Sequence, residues 1–208
     1  MELFLASNNA KKRAELVRLL GPLGIEIRTP ADVGGLEDVD EDQPDFAGNA
    51  AKKARAAALA TGLWSLADDS GLEVECLDGA PGVLSARYAG EHGDDAANNA
   101  RLLGELAERP PAERGARFVC ALALSAPDGS LRHACQGTAS GRILTEPRGD
   151  GDFGYDPLFL FTEEGFTQTG RGFAELSPAE KSEVSHRGRA LRMLAAELPS
   201  IVSGAAQS

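Results

Sequence analysis

Short apolar runs alternate with helical patterns along the first third of the chain. The runs ELFLA at residues 2–6 and IEIR at residues 25–28 predict two strands. Between them leucines recur at the spacing of one helix face, at Leu16, Leu19, Leu20 and Leu23. Gly21 and Pro22 then end this helix. This order of strand, helix and strand indicates an α/β fold.

The alternation continues through the middle of the chain. An acidic stretch over residues 31–45 has little periodicity and is typical of a loop. A helical pattern follows, with Asp45 as the predicted N-cap and Gly62 just past its end. The apolar run LWSLA then predicts a strand that ends at the carboxylate pair Asp68 and Asp69, and the alternation of LEVECL allows the chain to continue as a strand.

The second half predicts a helix, a hairpin and a C-terminal helix. DDAANNARLLGELAERP has helical spacing up to Pro110, and two apolar strands flank the turn at residues 127–130. A glycine-rich loop, GDGDFGYDPLF, follows; Ser177 opens one helical turn and Ser185 caps the last helix. We therefore expect an α/β fold with a mixed sheet flanked by helices, and two lobes with a cleft between them. One two-lobed domain should cover residues 1–199, with a flexible tail over residues 200–208.

The composition of the chain limits the kinds of partner and the cellular location that we expect. With 32 acidic residues against 21 Lys and Arg, the formal net charge of −11 argues against a nucleic-acid partner. No apolar run is long enough to span a bilayer and the N-terminus lacks a signal-peptide pattern, so we expect no membrane contact and a cytoplasmic location. The three cysteines are widely spaced, which favours buried free thiols over disulfides or a zinc site.

Two basic stretches could bind phosphate. The first lies where a strand passes into a helix and consists of Ser7, Asn8, Asn9, Ala10, Lys11 and Lys12. Free backbone N–H groups and a lysine suit a phosphate there, but the stretch by itself favours a plain helix cap with two solvated lysines, because no Walker pattern is present. Lys53 lies on a predicted helix, where a solvated charge is the ordinary interpretation.

The pair Asp68 and Asp69 has two interpretations. Neighbouring side chains of an extended chain point to opposite faces, so these carboxylates should lie in different environments. A carboxylate at the end of a strand can hold Mg²⁺ or accept a proton from water. The ordinary alternative is an Asp-Ser-Gly turn.

The glycine-rich loop could bind a base. Phe153 and Tyr155 would be exposed rings able to stack on it, or Phe153 and Phe159 could simply anchor the loop to the core. Asp156 is held extended by the following proline. Further donors gather near the start of the last helix, at Lys181, His186 and Arg187.

Six motifs in this order resemble one family. SNNAKKRAEL, DFAGNAAKKAR, ADDSGLEV, GAPGVLSARYAG, GDFGYDPLF and AELSPAEKSEVSHRGRAL are similar to motifs of the non-canonical purine nucleoside triphosphate pyrophosphatases, the inosine/xanthosine triphosphate pyrophosphatase family. The resemblance implies hydrolysis of inosine, deoxyinosine and xanthosine triphosphates to the monophosphate and pyrophosphate with Mg²⁺. It also implies a two-lobed α/β fold around a nucleotide-binding cleft, and a homodimer.

The resemblance also implies roles for individual residues. Asp69 matches the proton acceptor and metal ligand, and Glu41 lies where the family places a second acidic metal ligand. Substrate contacts fall on the first basic stretch, Ser7 to Lys12, and on Lys53, Ser70, Phe153, Gly154, Tyr155, Asp156, Lys181, His186 and Arg187. Two departures are visible: Ser7 stands where Thr is usual, and Gly48 where many members have Glu. A glycine inside that helix should cost up to about 1 kcal/mol relative to alanine.

Two other functions remain open at this point. A pyrophosphatase for modified pyrimidine nucleotides could be built on a similar cleft, and a nucleotide sensor would bind without turnover.

Overall fold

The computed structural model describes residues 2–7, 9–21, 24–151 and 153–205. Within these residues it has five α-helices: α1 (Ala10–Leu20), α2 (Phe46–Thr61), α3 (Asp95–Glu105), α4 (Pro178–Val184) and α5 (His186–Ala205). Six strands accompany them: β1 (Glu2–Leu5), β2 (Glu26–Arg28), β3 (Trp64–Val74), β4 (Gly115–Ser125), β5 (Leu131–Ile143) and β6 (Phe159–Phe161).

The six strands form one mixed sheet in the order β2-β1-β3-β4-β5-β6. β1 runs parallel to β2 and to β3, with Leu3 opposite Trp64. β5 and β6 are antiparallel, with Gly141 opposite Phe161. This arrangement confirms the predicted fold class of a mixed sheet with helices. The nucleotide-binding cleft between two lobes stays a prediction.

Two compact units divide the chain. The first comprises Met1–Asp69, Cys120–Gly137 and Gly188–Ser208, and the second comprises Ser70–Val119 and Thr138–Arg187. Strands β3, β4 and β5 each contribute residues to both units. Helix α5 continues to Ala205, so the domain end predicted at residue 199 falls inside a helix. Residues 206–208 of the predicted tail lie outside the described part.

The core of the first unit joins the sheet to two helices. Leu66 of β3 packs in one cluster with Leu3 and Leu5 of β1. Helices α1 and α5 cover these leucines with Leu16, Leu20, Ala190, Leu191, Leu194 and Leu198. Each fully buried leucine contributes about 1.5–3 kcal/mol, so this packing fixes α1 against the face of β3 that carries Leu66.

Aromatic rings form the centre of the second unit. Phe118, Phe159, Phe161 and Phe173 are buried together. The ring centroids of Phe118 and Phe173 each lie 4.7 Å from that of Phe159, a tilted geometry favourable for aromatic pairs. Phe159 therefore anchors the end of the glycine-rich segment to the core, as one of the two interpretations of that segment predicted.

Strand β3 differs from the sequence-based prediction. It runs without a break from Trp64 to Val74, so Asp68 and Asp69 lie in mid-strand. Both the predicted strand end and the alternative Asp-Ser-Gly turn are wrong. The strand continues because Leu72 and Val74 resume the buried alternation after the polar residues.

The observed helix ends agree better with the predicted ones where a capping residue is present. Asp45 and Gly62 bound α2 as predicted: the Asp45 side chain accepts a hydrogen bond from the Gly48 N–H, and Gly62 has a left-handed φ of 68°. Helix α3 ends at Glu105, before the prolines that were expected to stop it.

The three cysteines are free, as predicted, although only Cys120 is fully buried. Of the helices described, none is both long and apolar enough to cross a membrane.

Gly141 and Gly104 give a matched test of the packing between β5 and β6. A Cβ at Gly141 would overlap the Leu160 carbonyl oxygen and lie 2.6 Å from the Phe159 ring, whereas one at Gly104 in α3 would meet nothing. We expect Gly141→Ala to lower the free energy of unfolding by about 1–3 kcal/mol. Gly104→Ala should raise it by up to about 1 kcal/mol. Urea unfolding measures both, and a Gly141→Ala protein as stable as the wild type would contradict the packing described.

Candidate active site

The N-terminus of α1 presents polar groups and Lys12. Asn9 is the N-cap, and its side chain accepts a hydrogen bond from the Lys12 N–H at 3.0 Å. Ser7 lies just before it and its Oγ accepts from the Asn9 N–H at 3.3 Å. The first turn of α1 carries no acidic residue, although the helix dipole favours negative charge there. This end of α1 therefore suits an anion.

Lys12 reaches the first aspartate of β3. Its Nζ lies 3.1 Å from Asp68 Oδ2, and the Asp68 side chain is only 1% exposed. Alternation along β3 places Asp68 on the same face as Leu66, which is the face that α1 covers. The core packing of α1 thus brings Lys12 to Asp68. Asn8 of the predicted phosphate loop lies outside the described residues; Ala10 and Lys11 begin α1.

Lys53 of α2 bridges two carboxylates. Its Nζ donates to Asp69 Oδ1 and to Glu41 Oε1, at 2.9 Å in both cases. The Lys53 side chain is 16% exposed, so its interpretation as an ordinary solvated charge is wrong. The structure therefore brings Glu41 of the acidic loop beside Asp69.

Asn49 completes the surroundings of Asp69. This fully buried amide donates to Asp69 Oδ2 at 3.2 Å and accepts from the Gln43 N–H at 3.0 Å. Asn49 lies one helical turn before Lys53, so both point from the same face of α2. The sequence-based prediction gave Asn49 no role, although this i, i+4 spacing was the signal that could have indicated one.

Gly48 allows the acidic loop to approach α2. A Cβ at this position would lie 2.9 Å from the Gln43 Cβ and 3.2 Å from Asp45 Oδ1. Alanine would therefore gain helix propensity but would push against the loop that carries Glu41. The expectation that this glycine simply costs helix stability relative to alanine is thus incomplete.

Burial and charge oppose each other at Asp69. Burial raises the pKa of the Asp69 carboxyl above its ordinary value, and the nearby Lys53 ammonium only partly offsets that rise. Burial lowers the pKa of Lys53, but the carboxylates of Asp69, Asp68 and Glu41 outweigh this effect and leave that pKa raised. Asp69 is thus a more basic carboxylate than an exposed aspartate, as a general base requires.

A second cluster, in the other unit, consists of Ser70, Phe153, Asp156, Lys181, His186 and Arg187. Lys181 forms an ion pair with the buried Asp156, and its Nζ lies 5.4 Å from the centroid of the Phe153 ring. The Arg187 guanidinium lies 5.9 Å from the same ring. Both cations thus lie within cation–π distance of the Phe153 ring.

The ends of α4 and α5 position these donors. Ser177 caps α4 with Glu180 in a capping box, which places Lys181 in the last turn of α4. His186 begins α5, and its ring stacks on Phe118 with centroids 4.8 Å apart. Arg187 is buried and its Nη2 donates to Ser70 Oγ at 3.4 Å.

Tyr155 differs from the exposed ring expected of the glycine-rich loop. It is buried, and its hydroxyl donates to the Ser85 carbonyl oxygen at 2.9 Å. Burial raises the pKa of this phenol. Phe153 is half-buried and remains the accessible ring of the loop. The expectation of two exposed stacking rings is therefore wrong for Tyr155, which anchors the loop.

Comparisons with known proteins assign the chain to a protein family. A model of the Ham1 family matches residues 3–197. The chain belongs to the Ham1 family.

Relatives of this Ham1 chain are similar to it in sequence over nearly their whole length. It is 50% identical over 192 residues to a dITP/XTP pyrophosphatase of Desulforamulus reducens, covering 92% of both chains. It is 51% identical over 202 residues to a dITP/XTP pyrophosphatase of Mycolicibacterium paratuberculosis, covering 96% of both. A solved HAM1 protein from Coxiella burnetii superposes with a TM-score of 0.85 at 40% identity, covering 96% of this chain and 99% of the other.

In this Ham1 chain, two neighbouring lysines allow a test of the electrostatic interaction between Lys53 and Asp69. Lys53 contacts Asp69, whereas Lys52 pairs with Asp42 on the exposed side. Because the Lys53 charge lowers the pKa of Asp69, Lys53→Met should raise that pKa further. Lys52→Met should leave it near the wild-type value. Carboxyl ¹³C NMR across pH measures both, and equal shifts in the two variants would contradict a specific Lys53–Asp69 pair.

Proposed function

We propose that this chain hydrolyses inosine, deoxyinosine and xanthosine triphosphates to the nucleoside monophosphate and pyrophosphate, and so removes them from the nucleotide pool. Relatives about 50% identical over most of the chain are dITP/XTP pyrophosphatases, which supports this substrate class. The observation that carries the proposal is the Lys53 ammonium held 2.9 Å from both Asp69 and Glu41. This arrangement places a cation suited to a phosphate next to two carboxylates suited to a metal.

Mg²⁺ is the proposed cofactor, held by Asp69 and Glu41. The residues fit this ion, because both carboxylates already direct an oxygen at one cation, the Lys53 ammonium. Among the residues that the structure describes, no group of three or more His, Cys, Asp or Glu side chains could hold a metal. Two carboxylates are the number that Mg²⁺ commonly takes from a protein when substrate phosphates complete its ligands. When bound, the ion neutralises charge on the triphosphate.

Asp69 is the proposed general base. Its raised pKa suits it to accept a proton from a water that attacks the α phosphorus. Asn49 and Lys53 fix one oxygen each of this carboxylate, which restricts its orientation. Lys12 and Lys53 offset negative charge as pyrophosphate leaves, and Lys181 is a third cation for the nucleotide.

The second cluster is the proposed recognition element for the base. The accessible Phe153 ring offers a stacking surface. Hypoxanthine and xanthine carry a carbonyl at C6, which donors from His186 or Arg187 can satisfy. Adenine carries an amino donor at that position and would leave buried donors unpaired, which disfavours it. The family also leads us to propose a homodimer in the cytoplasm.

A screen of nucleoside triphosphates with Mg²⁺ and pyrophosphate detection tests the proposed substrate class. We expect turnover of the inosine, deoxyinosine and xanthosine triphosphates, at least about 100-fold above ATP in kcat/KM, because a missing hydrogen-bond match is heavily penalised. Preferred turnover of modified pyrimidine triphosphates would contradict the purine assignment. Nucleotide binding without any pyrophosphate would indicate a sensor instead.

Isotope labelling tests which phosphorus is attacked. Hydrolysis of inosine triphosphate in ¹⁸O-water should place the label in inosine monophosphate, because water attacks the α phosphorus. Mass spectrometry of both products reads this outcome. Label found in pyrophosphate would mean attack at the β phosphorus and would contradict the mechanism.

A further inference from the structure

Two side chains of α3 hold the two peptide groups on either side of Gly154 in the glycine-rich loop. The Gly154 N–H donates to Asp95 Oδ2, and the Gly154 carbonyl oxygen accepts from Asn99 Nδ2, both at 2.9 Å. Asp95 and Asn99 are one helical turn apart and so lie on one face of α3. Gly154 adopts a left-handed φ of 56°, which few other residues tolerate.

The flanking residues differ in what holds them. After Gly154, the Tyr155 hydroxyl is anchored to the Ser85 carbonyl oxygen. Before it, the half-buried Phe153 ring lies beside the side chains of Lys181 and Arg187. The Asp95 bond therefore constrains the peptide group that joins Phe153 to Gly154, and the Asn99 bond constrains the one that joins Gly154 to the anchored Tyr155.

We propose that Asp95 and Asn99 are positioning residues for base recognition, acting through the two peptide groups that flank Gly154 to orient Phe153. This inference rests on the proposed function, because it assigns Phe153 as the surface on which the purine stacks. Neither side chain needs to touch the nucleotide. Their loss should weaken binding of the base while leaving the phosphate chemistry of the other unit unchanged.

Isosteric variants separate positioning from charge. Asn99→Asp keeps the size of the side chain but replaces the donor with a carboxylate facing the Gly154 carbonyl oxygen; it is assayed at about pH 8, where an aspartate is ionised. Ala100→Asp is the matched control, because it adds the same charge at the exposed next position of α3. Asp95→Ala removes the acceptor, and Asp95→Asn restores one oxygen in the same place.

We expect Asn99→Asp and Asp95→Ala to raise KM for inosine triphosphate, and Kd for inosine monophosphate measured by calorimetry, about tenfold. Their kcat should stay within about twofold of the wild-type value, because the base no longer stacks well but the water attack is unchanged. Asp95→Asn should recover most of the lost affinity, and Ala100→Asp should behave like the wild type. Thermal unfolding of each variant checks that the fold is retained.

Three results would overturn the proposal. The first is an Asn99→Asp protein with the KM and Kd of the Ala100→Asp protein. The second is a loss confined to kcat, and the third is failure of Asp95→Asn to recover affinity. A wild-type protein that turns over no inosine triphosphate would instead contradict the proposed function, so the two failures are distinguishable.

Discussion

The cluster around Asp68 and Asp69, with their partners Lys12 and Lys53, depends on one constraint: the alternation of side chains along β3. It sends Asp68 to the face covered by α1, where Lys12 meets it, and Asp69 to Lys53 of α2. Two adjacent carboxylates would otherwise repel each other in one buried space. Instead each carboxylate has its own lysine partner, which offsets the cost of burying it.

The sequence predicted those features that depend on local chemistry. Asp45 and Gly62 mark the ends of α2 because capping uses only neighbouring residues. The strand through Asp68 and Asp69 was mispredicted, since Asp-Ser-Gly has turn propensity and only the surrounding sheet keeps it extended. Lys53 likewise resembles a solvated charge until the fold brings Asp69 to it.

The second cluster shows the same limit of local reasoning. Its residue types were recognisable from motifs, but the burial of Tyr155 and its bond to Ser85 depend on contacts 70 residues apart in the chain. The paired contacts of Asp95 and Asn99 with Gly154 join residues 59 and 55 positions apart and carry no local signal. The aromatic core around Phe118 then fixes His186 by stacking. The proposed recognition of the base thus depends on packing, whereas the positions of the residues proposed to bind phosphate follow from strand and helix geometry.

We propose that adjacent aspartates of one strand have different tasks, with Asp69 as the base and Asp68 as the partner of Lys12. Single-turnover hydrolysis of inosine triphosphate by Asp69→Asn and Asp68→Asn, with nucleotide affinity measured in parallel, tests it most directly. We expect a rate loss of about a thousandfold or more for Asp69→Asn with affinity largely retained, and a much smaller loss for Asp68→Asn. A near-normal rate in Asp69→Asn, or equal losses in both variants, would contradict it.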